Sequence, residues 1–163
     1  MNDLLLWKFV HVLAGSVVFG TGLGIAFFTW FGYRQALARR SIEALRTILD
    51  LAVIADWCFT AVAIVVQFAT ALVLLHLRGW SYTSPWATTA FALYALTGAC
   101  WIPVVAIQIR LRNEARAAAS TDALPPAFHR RFRLWFSLGI PAFAAVIALF
   151  AVMLLKPAAL PIS

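Results

Sequence analysis

Charge is the scarcest commodity in this chain: 12% of its 163 residues are Asp, Glu, Lys or Arg, and only six of those are acidic. Soluble proteins carry about 25%. With 64% hydrophobic residues and a mean hydropathy of +0.91, a soluble fold is excluded and a membrane protein is indicated. Apolar runs and short connections consume the whole length, so no segment remains to build a separate soluble domain. Cysteine is nearly absent as well. Cys58 and Cys100 fall far apart inside apolar runs, without the CxxC or Cys/His spacing of a metal or redox pair, and read as small core residues. Of three histidines, His11, His76 and His129, none shares a membrane level with another, which disfavours a multi-ligand metal centre and a bis-histidine haem within one chain. No serine, cysteine or carboxylate pair is arranged for hydrolysis, and no soluble-type repeat is present.

What is present is four apolar runs, approximately 4–33, 51–77, 86–110 and 134–155. Each is long enough to cross a hydrocarbon core of about 30 Å, which takes roughly 20 helical residues. The fold class expected is all-α: a single integral-membrane four-helix bundle spanning 1–163. The first run is too long for a cleaved signal peptide and is followed by more membrane, so it reads as retained. The net charge of +7 would suggest nucleic acid in a soluble chain, but the arginines cluster in two connections beside apolar spans. Arg34, Arg39, Arg40, Arg46, Arg110, Arg112, Arg116, Arg130, Arg131 and Arg133 face only Lys8, Arg78 and Lys156 on the other side. Ten against three places the basic connections in the cytoplasm and both termini in the periplasm of a bacterial inner membrane.

Ser41 followed by Glu43 offers an N-cap and a first-turn acid, so the first connection is expected to be partly helical. In the third, a helix should run past the membrane surface through Ala115–Ala119 before an irregular turn at Pro125-Pro126. Pro141 should kink the last span, and Lys156-Pro157 should end it. Trp7, Trp30, Tyr33, Trp80, Tyr82, Trp86 and Trp135 lie near run ends and fit interfacial belts, while Trp57 and Trp101 lie deeper.

Polar residues within the runs fall into stripes. Asp56, Thr60, Ala63, Gln67 and Thr70 recur at helical spacing in the second run, and Tyr94, Thr97, Trp101, Val105 and Gln108 in the third. Polar groups in lipid need partners inside the protein, so the two stripes should face the interior and each other. Asp56 is level with Gln108 and within reach of Arg110 or Arg112; it reads as an interhelical lock, with a proton relay as the alternative. In the first run Ser16, Gly20 and Gly24 form a small-residue face suited to an intrachain contact or a homo-oligomer. A second face holds Lys8, His11, Gly15, Val18 and Gly22. Gly15, one turn from His11, clears bulk where a macrocycle ligated by that imidazole would lie, and Lys8 is placed to meet an acid group such as a haem propionate. The competing reading makes His11 a hydrogen-bonded core residue and Lys8 a snorkelling one. Thr70 and Tyr94 share His11's depth.

The opening Trp7-Lys8-Phe9-Val10-His11 resembles that of the small membrane proteins grouping the HemJ-type protoporphyrinogen oxidases with the membrane domain of the copper-resistance protein CopD. The segment from Phe132-Arg133 through Pro141 to Lys156-Pro157 is similar to the end of the HemJ type. A likeness to the bacterial "domain of unknown function 2269" membrane proteins runs nearly the full length, through Asp56-Trp57-Cys58-Phe59-Thr60, Gln67, Ala99-Cys100-Trp101-Ile102-Pro103 and Gln108. The HemJ resemblance implies His11 as axial ligand of a b-type haem and Lys8 as a nearby charge. The histidine-bearing middle segment of that type has no counterpart here, and Leu138-Gly139-Ile140 stands where it has an Asn-Glu pair. The resulting expectation is a haem b protein with an electron-transfer or oxidoreductase role and a porphyrin or quinone partner. The alternative is a non-catalytic module: a copper or small-ligand transport element, or an assembly partner.

Overall fold

The computed structural model describes residues 3–155. Four long helices cover almost all of them, and among the described residues there is no strand. They are α1 (Asp3–Ala38), α2 (Ile42–Leu77), α3 (Pro85–Ala117) and α4 (Pro126–Leu155), each long and apolar enough to cross a membrane. The protein is an all-α membrane four-helix bundle. Lys156-Pro157, expected to end the last span, lies outside the described residues.

The helices run well into what the apolar runs alone mark as connections. α1 ends in a Schellman closure, in which Arg40 N–H meets the Leu37 carbonyl at 3.1 Å and Ser41 N–H the Ala36 carbonyl at 2.9 Å. Ser41 then caps α2, its hydroxyl accepting from Ala44 N–H at 3.2 Å. Helical propensity and caps thus carry both helices through the basic layer, shrinking the first connection to a tight turn. The third shrinks similarly to 118–125, with a 3₁₀ turn at Thr121–Ala123. Pro103 and Pro141 both sit inside continuous helices.

At this basic end lies the apolar core. Leu45, Leu49, Leu111, Phe128 and Phe132 are sealed, and Trp30 and Tyr33 pack partly buried against them. Tyr33 stacks on Phe132 with ring centroids 3.7 Å apart, and its hydroxyl lies 2.6 Å from His129 Nδ1. These two rings are structural members of the core as well as terminal aromatics. Trp135 departs outright from the belt assignment: it is 4% exposed and buried against α3. Its N–H has found a protein partner, which an indole at mid-bundle needs and a headgroup-facing one does not.

The π-helical turn Asp56–Ala61 interrupts α2. An i→i+5 turn carries extra residue per revolution, so it rotates everything after it relative to a straight helix. Before the turn α2 packs on both α1 and α3; beyond it α2 leans on α1. The polar stripe of α2 is therefore divided between two neighbours, where a straight helix would have aimed it at one.

Candidate functional site: a polar-walled cavity and a histidine cluster

Asp56 and Thr60 sit on the π turn, both buried. The Gln108 amide N–H donates to Asp56 Oδ2 at 2.9 Å, and Trp135 Nε1–H donates to Gln108 Oε1 at 2.9 Å. One amide thus links α2, α3 and α4, satisfied on both sides as a buried side chain must be. This is the partner expected for Asp56 among those within reach; Arg112 bonds Asn113 instead. Thr60 flanks the same carboxyl, and its hydroxyl lies 3.2 Å from that of Thr21 on α1. The Trp101 indole also lies beside the carboxyl, but its buried N–H closes no hydrogen bond.

These groups form one wall of a cavity of about 380 Å³ to which all four helices contribute. Apart from Thr97, whose hydroxyl donates to the Leu93 carbonyl, the remaining wall is apolar or aromatic, including Val18, Ile64, Val104, Phe136 and Phe143. Gly22 on α1 and Gly139 on α4 line it, and a Cβ at either would meet nothing within 4 Å. Leu23, Ile140 and Ile147 belong both to the wall and to the exposed surface, so the cavity opens sideways between α1 and α4. At that seam Phe19 stacks on Phe143 at 5.0 Å.

The second polar cluster lies toward the opposite end. Thr70 donates its hydroxyl to the Val66 carbonyl at 2.7 Å, so its oxygen accepts from His11 Nδ1–H at 2.8 Å. That fixes the imidazole tautomer. Nε2 then carries the lone pair, and the Gln67 amide N–H meets it at 3.2 Å. The space cleared by Gly15 is filled by the same amide: a Cβ there would stand 3.3 Å from Gln67 Nε2. Lys8 is exposed one turn away.

The structure brings His11, Gly15, Gln67 and Thr70 together, and Asp56, Gln108 and Trp101 together, as two separate groups. Tyr94 joins neither. Its hydroxyl donates to the Ile64 carbonyl at 2.8 Å and its ring stacks on Phe68 at 5.3 Å. Trp57 is 56% exposed and turned away from the cavity that Trp101 lines. Around Gly20 and Gly24 no other helix approaches; the close contact of α1 is at Gly32, where a Cβ would stand 2.8 Å from Ile48. Among the described residues no three His, Cys, Asp or Glu side chains converge as a metal site. The contributions of Trp135 and Gly139 were missed from sequence. Their signal is the face Phe128, Phe132, Trp135, Gly139, Ala142, Val146, which recurs at steps of three and four and marks the inner side of α4.

Fold and composition define the class: a multi-pass integral membrane protein with polar side chains kept inside the bundle. The chain belongs to the DUF2269 family of predicted integral membrane proteins, which it matches over residues 5–157. No curated protein and no solved structure matches it.

Proposed function

We propose that this protein is a small-ligand-binding membrane module, which takes a lipid-soluble molecule into the cavity between α1 and α4. The observation that carries the reading is a ligand-sized space whose wall holds a buried indole N–H that lies beside the Asp56 carboxyl without closing a hydrogen bond to it. Small-molecule sites occupy about 300–1,000 Å³, are mainly apolar and hold a few convergent polar groups. An unmet N–H inside hydrocarbon costs several kcal/mol, and a ligand that supplies an acceptor relieves that cost. The sideways opening suits a ligand that arrives through the bilayer. Native mass spectrometry of the protein released from nanodiscs tests this: wild type should carry a small apolar adduct that Gly139→Phe, which fills the cavity, loses. Identical adducts on both would sink the reading.

A second reading keeps haem b at His11, with the electron-transfer or oxidoreductase role that the HemJ-like opening implies. The fixed tautomer favours it, since a ligating histidine donates its other ring N–H to a fixed acceptor, as His11 does to Thr70. The donor set fits a single axial ligand on one condition, that the Gln67 amide swings off Nε2. Lys8, exposed beside it, would hold an acidic edge of the group, and a haem there would supply one-electron chemistry. A Soret band in the purified protein, lost in His11→Ala with the fold intact, supports this reading. A colourless wild type from haem-replete cells removes it and leaves the cavity reading standing. For either ligand we place the protein in the bacterial inner membrane with its arginine-rich end in the cytoplasm, supported by the asymmetry of basic residues. External labelling of Ala118→Cys in intact cells, with Cys58 and Cys100 replaced, would contradict that orientation.

A further inference from the structure

Resting on the reading that the cavity takes a lipid-soluble ligand, we infer that this ligand is of the quinone or quinol class, its ring seated among the aromatic side chains and its ring oxygen against Trp101 and Asp56. The wall states what the ligand must bring. Among the described residues lining it, the buried polar atom that closes no hydrogen bond is a donor, the Trp101 indole N–H beside the Asp56 carboxyl. A ligand oxygen completes that donor's bonding, whereas a cationic amphiphile, which offers donors only, leaves it unimproved. Asp56 beside it already accepts from Gln108 at 2.9 Å. A carboxyl with further acceptor capacity takes a hydrogen bond from a hydroxyl on the ligand, so a quinol oxygen accepts from Trp101 while donating to Asp56. A quinone carbonyl keeps the first of those bonds.

The rest of the cavity fits a flat ring with an apolar tail. Trp135, Phe136 and Phe143 present aromatic surface around the space, and flat rings pack offset or edge-on against such surface. The glycines at 22 and 139 leave the centre open, and nothing within 4 Å stands where their side chains would be. The opening between α1 and α4, bordered by exposed Leu23, Ile140 and Ile147, lets a long isoprenoid or alkyl tail remain in lipid while the head is enclosed. A polar head with a tail it cannot enclose is the shape the cavity accepts.

The test measures binding of decyl-ubiquinone and of decylbenzene, which has the same tail and no ring oxygen, to the protein in nanodiscs by calorimetry. Wild type should bind decyl-ubiquinone about tenfold more tightly, and Trp101→Phe should remove that advantage while leaving decylbenzene unchanged. Gly139→Phe should weaken both. If Trp101→Phe does not fold, an azido derivative of decyl-ubiquinone photolysed on wild type should label α3 and α4 peptides bounding the cavity. Equal affinity for the two ligands, with both lost in Gly139→Phe, overturns the quinone class and preserves a ligand cavity. Binding that Gly139→Phe leaves intact, or photolabel confined to other helix surfaces, overturns the cavity as the site; no binding of either ligand overturns both.

Discussion

At the basic end of the bundle Phe128, Phe132, Leu45, Leu49 and Leu111 are sealed from the surroundings, and three ion pairs hold helices and turns. Arg46 adds bonds from its guanidinium to the carbonyls of Ala115 and Ala118, while Arg131 pairs with Glu114. At the opposite end the buried side chains are mostly small or polar, Ala14, Thr70, Ala87 and Ala90 among them with Leu75 a large apolar exception, and large apolar residues such as Val65, Leu77 and Leu154 face outward. The difference teaches where this bundle gets its rigidity. Lipid is as apolar as a leucine side chain, so helices far from water gain little by burying one. At the basic end the helices run on past the apolar runs, to Ala38 and Ala117, and there the apolar core and the charge pairs both contribute. A bundle clamped at one end leaves its middle free to hold a cavity.

The largest expected effect breaks the clamp. Phe132→Ala should cost about 3–5 kcal/mol of stability in detergent, because its ring is fully enclosed and a void would remain. Leu75→Ala at the opposite end should cost about 2 kcal/mol, at the low end for such truncations. Chemical unfolding followed by circular dichroism gives both values. Equal losses would mean that the two ends do not differ in the way their burial indicates.

Next comes the link between the clamp and the cavity. Gln108→Leu keeps volume but strands the Asp56 carboxyl and the Trp135 N–H together, each about 1–3 kcal/mol when left unmet. Thr60 beside the carboxyl offsets part of that sum, so a loss of about 2–4 kcal/mol is expected in the same assay. Asp56→Asn, which retains an acceptor for Gln108, should cost less than Gln108→Leu. The reverse order would place the weight of this contact on charge and restore the proton relay as the better account of Asp56.

These outcomes bear on what the residues alone disclosed. The four spans were legible because long apolar runs have no soluble alternative, and Asp56 with Gln108 was legible because helical spacing put both inside at one level. Trp135 was not: an indole near a run end reads as a belt residue until the helix is seen to continue inward from Phe128. The division of the α2 stripe was not legible either, since a π turn leaves no mark in a pattern of apolar and polar residues. At His11, sequence gave the neighbour Thr70 by depth. It did not give Gln67, whose long side chain reaches the imidazole from one turn away, a reach that depth alone does not show.

A smaller effect is expected at that histidine. Thr70→Val removes the acceptor of His11 Nδ1–H and should cost about 1 kcal/mol, the net worth of one hydrogen bond. The partly exposed imidazole can recover some of it from its surroundings, so the loss should fall below that of Gln108→Leu. A loss as large as the Gln108 variant's would show that the half of the bundle opposite the clamp depends on its polar contacts as heavily.

The smallest effects separate the two ends by their turns. Both α1 and α2 close with the same pair of backbone bonds, and both need a residue at positive φ: Arg40 at 50° in one, Gly79 at 62° in the other. A side chain in that region costs about 1–2 kcal/mol, whereas glycine adopts it freely but loses more entropy on folding. Arg40→Gly should therefore stabilise by up to about 1 kcal/mol, the strain relieved exceeding the entropy lost. Gly79→Ala should destabilise by about 1 kcal/mol, since the packing around it is open and the strain would be new. At the basic end Ala36 and Leu45, which flank the turn, belong to the sealed core, so packing there can hold the strained backbone at Arg40. If Arg40→Gly destabilises instead, the turn at the basic end is held by the arginine side chain and not by the core below it.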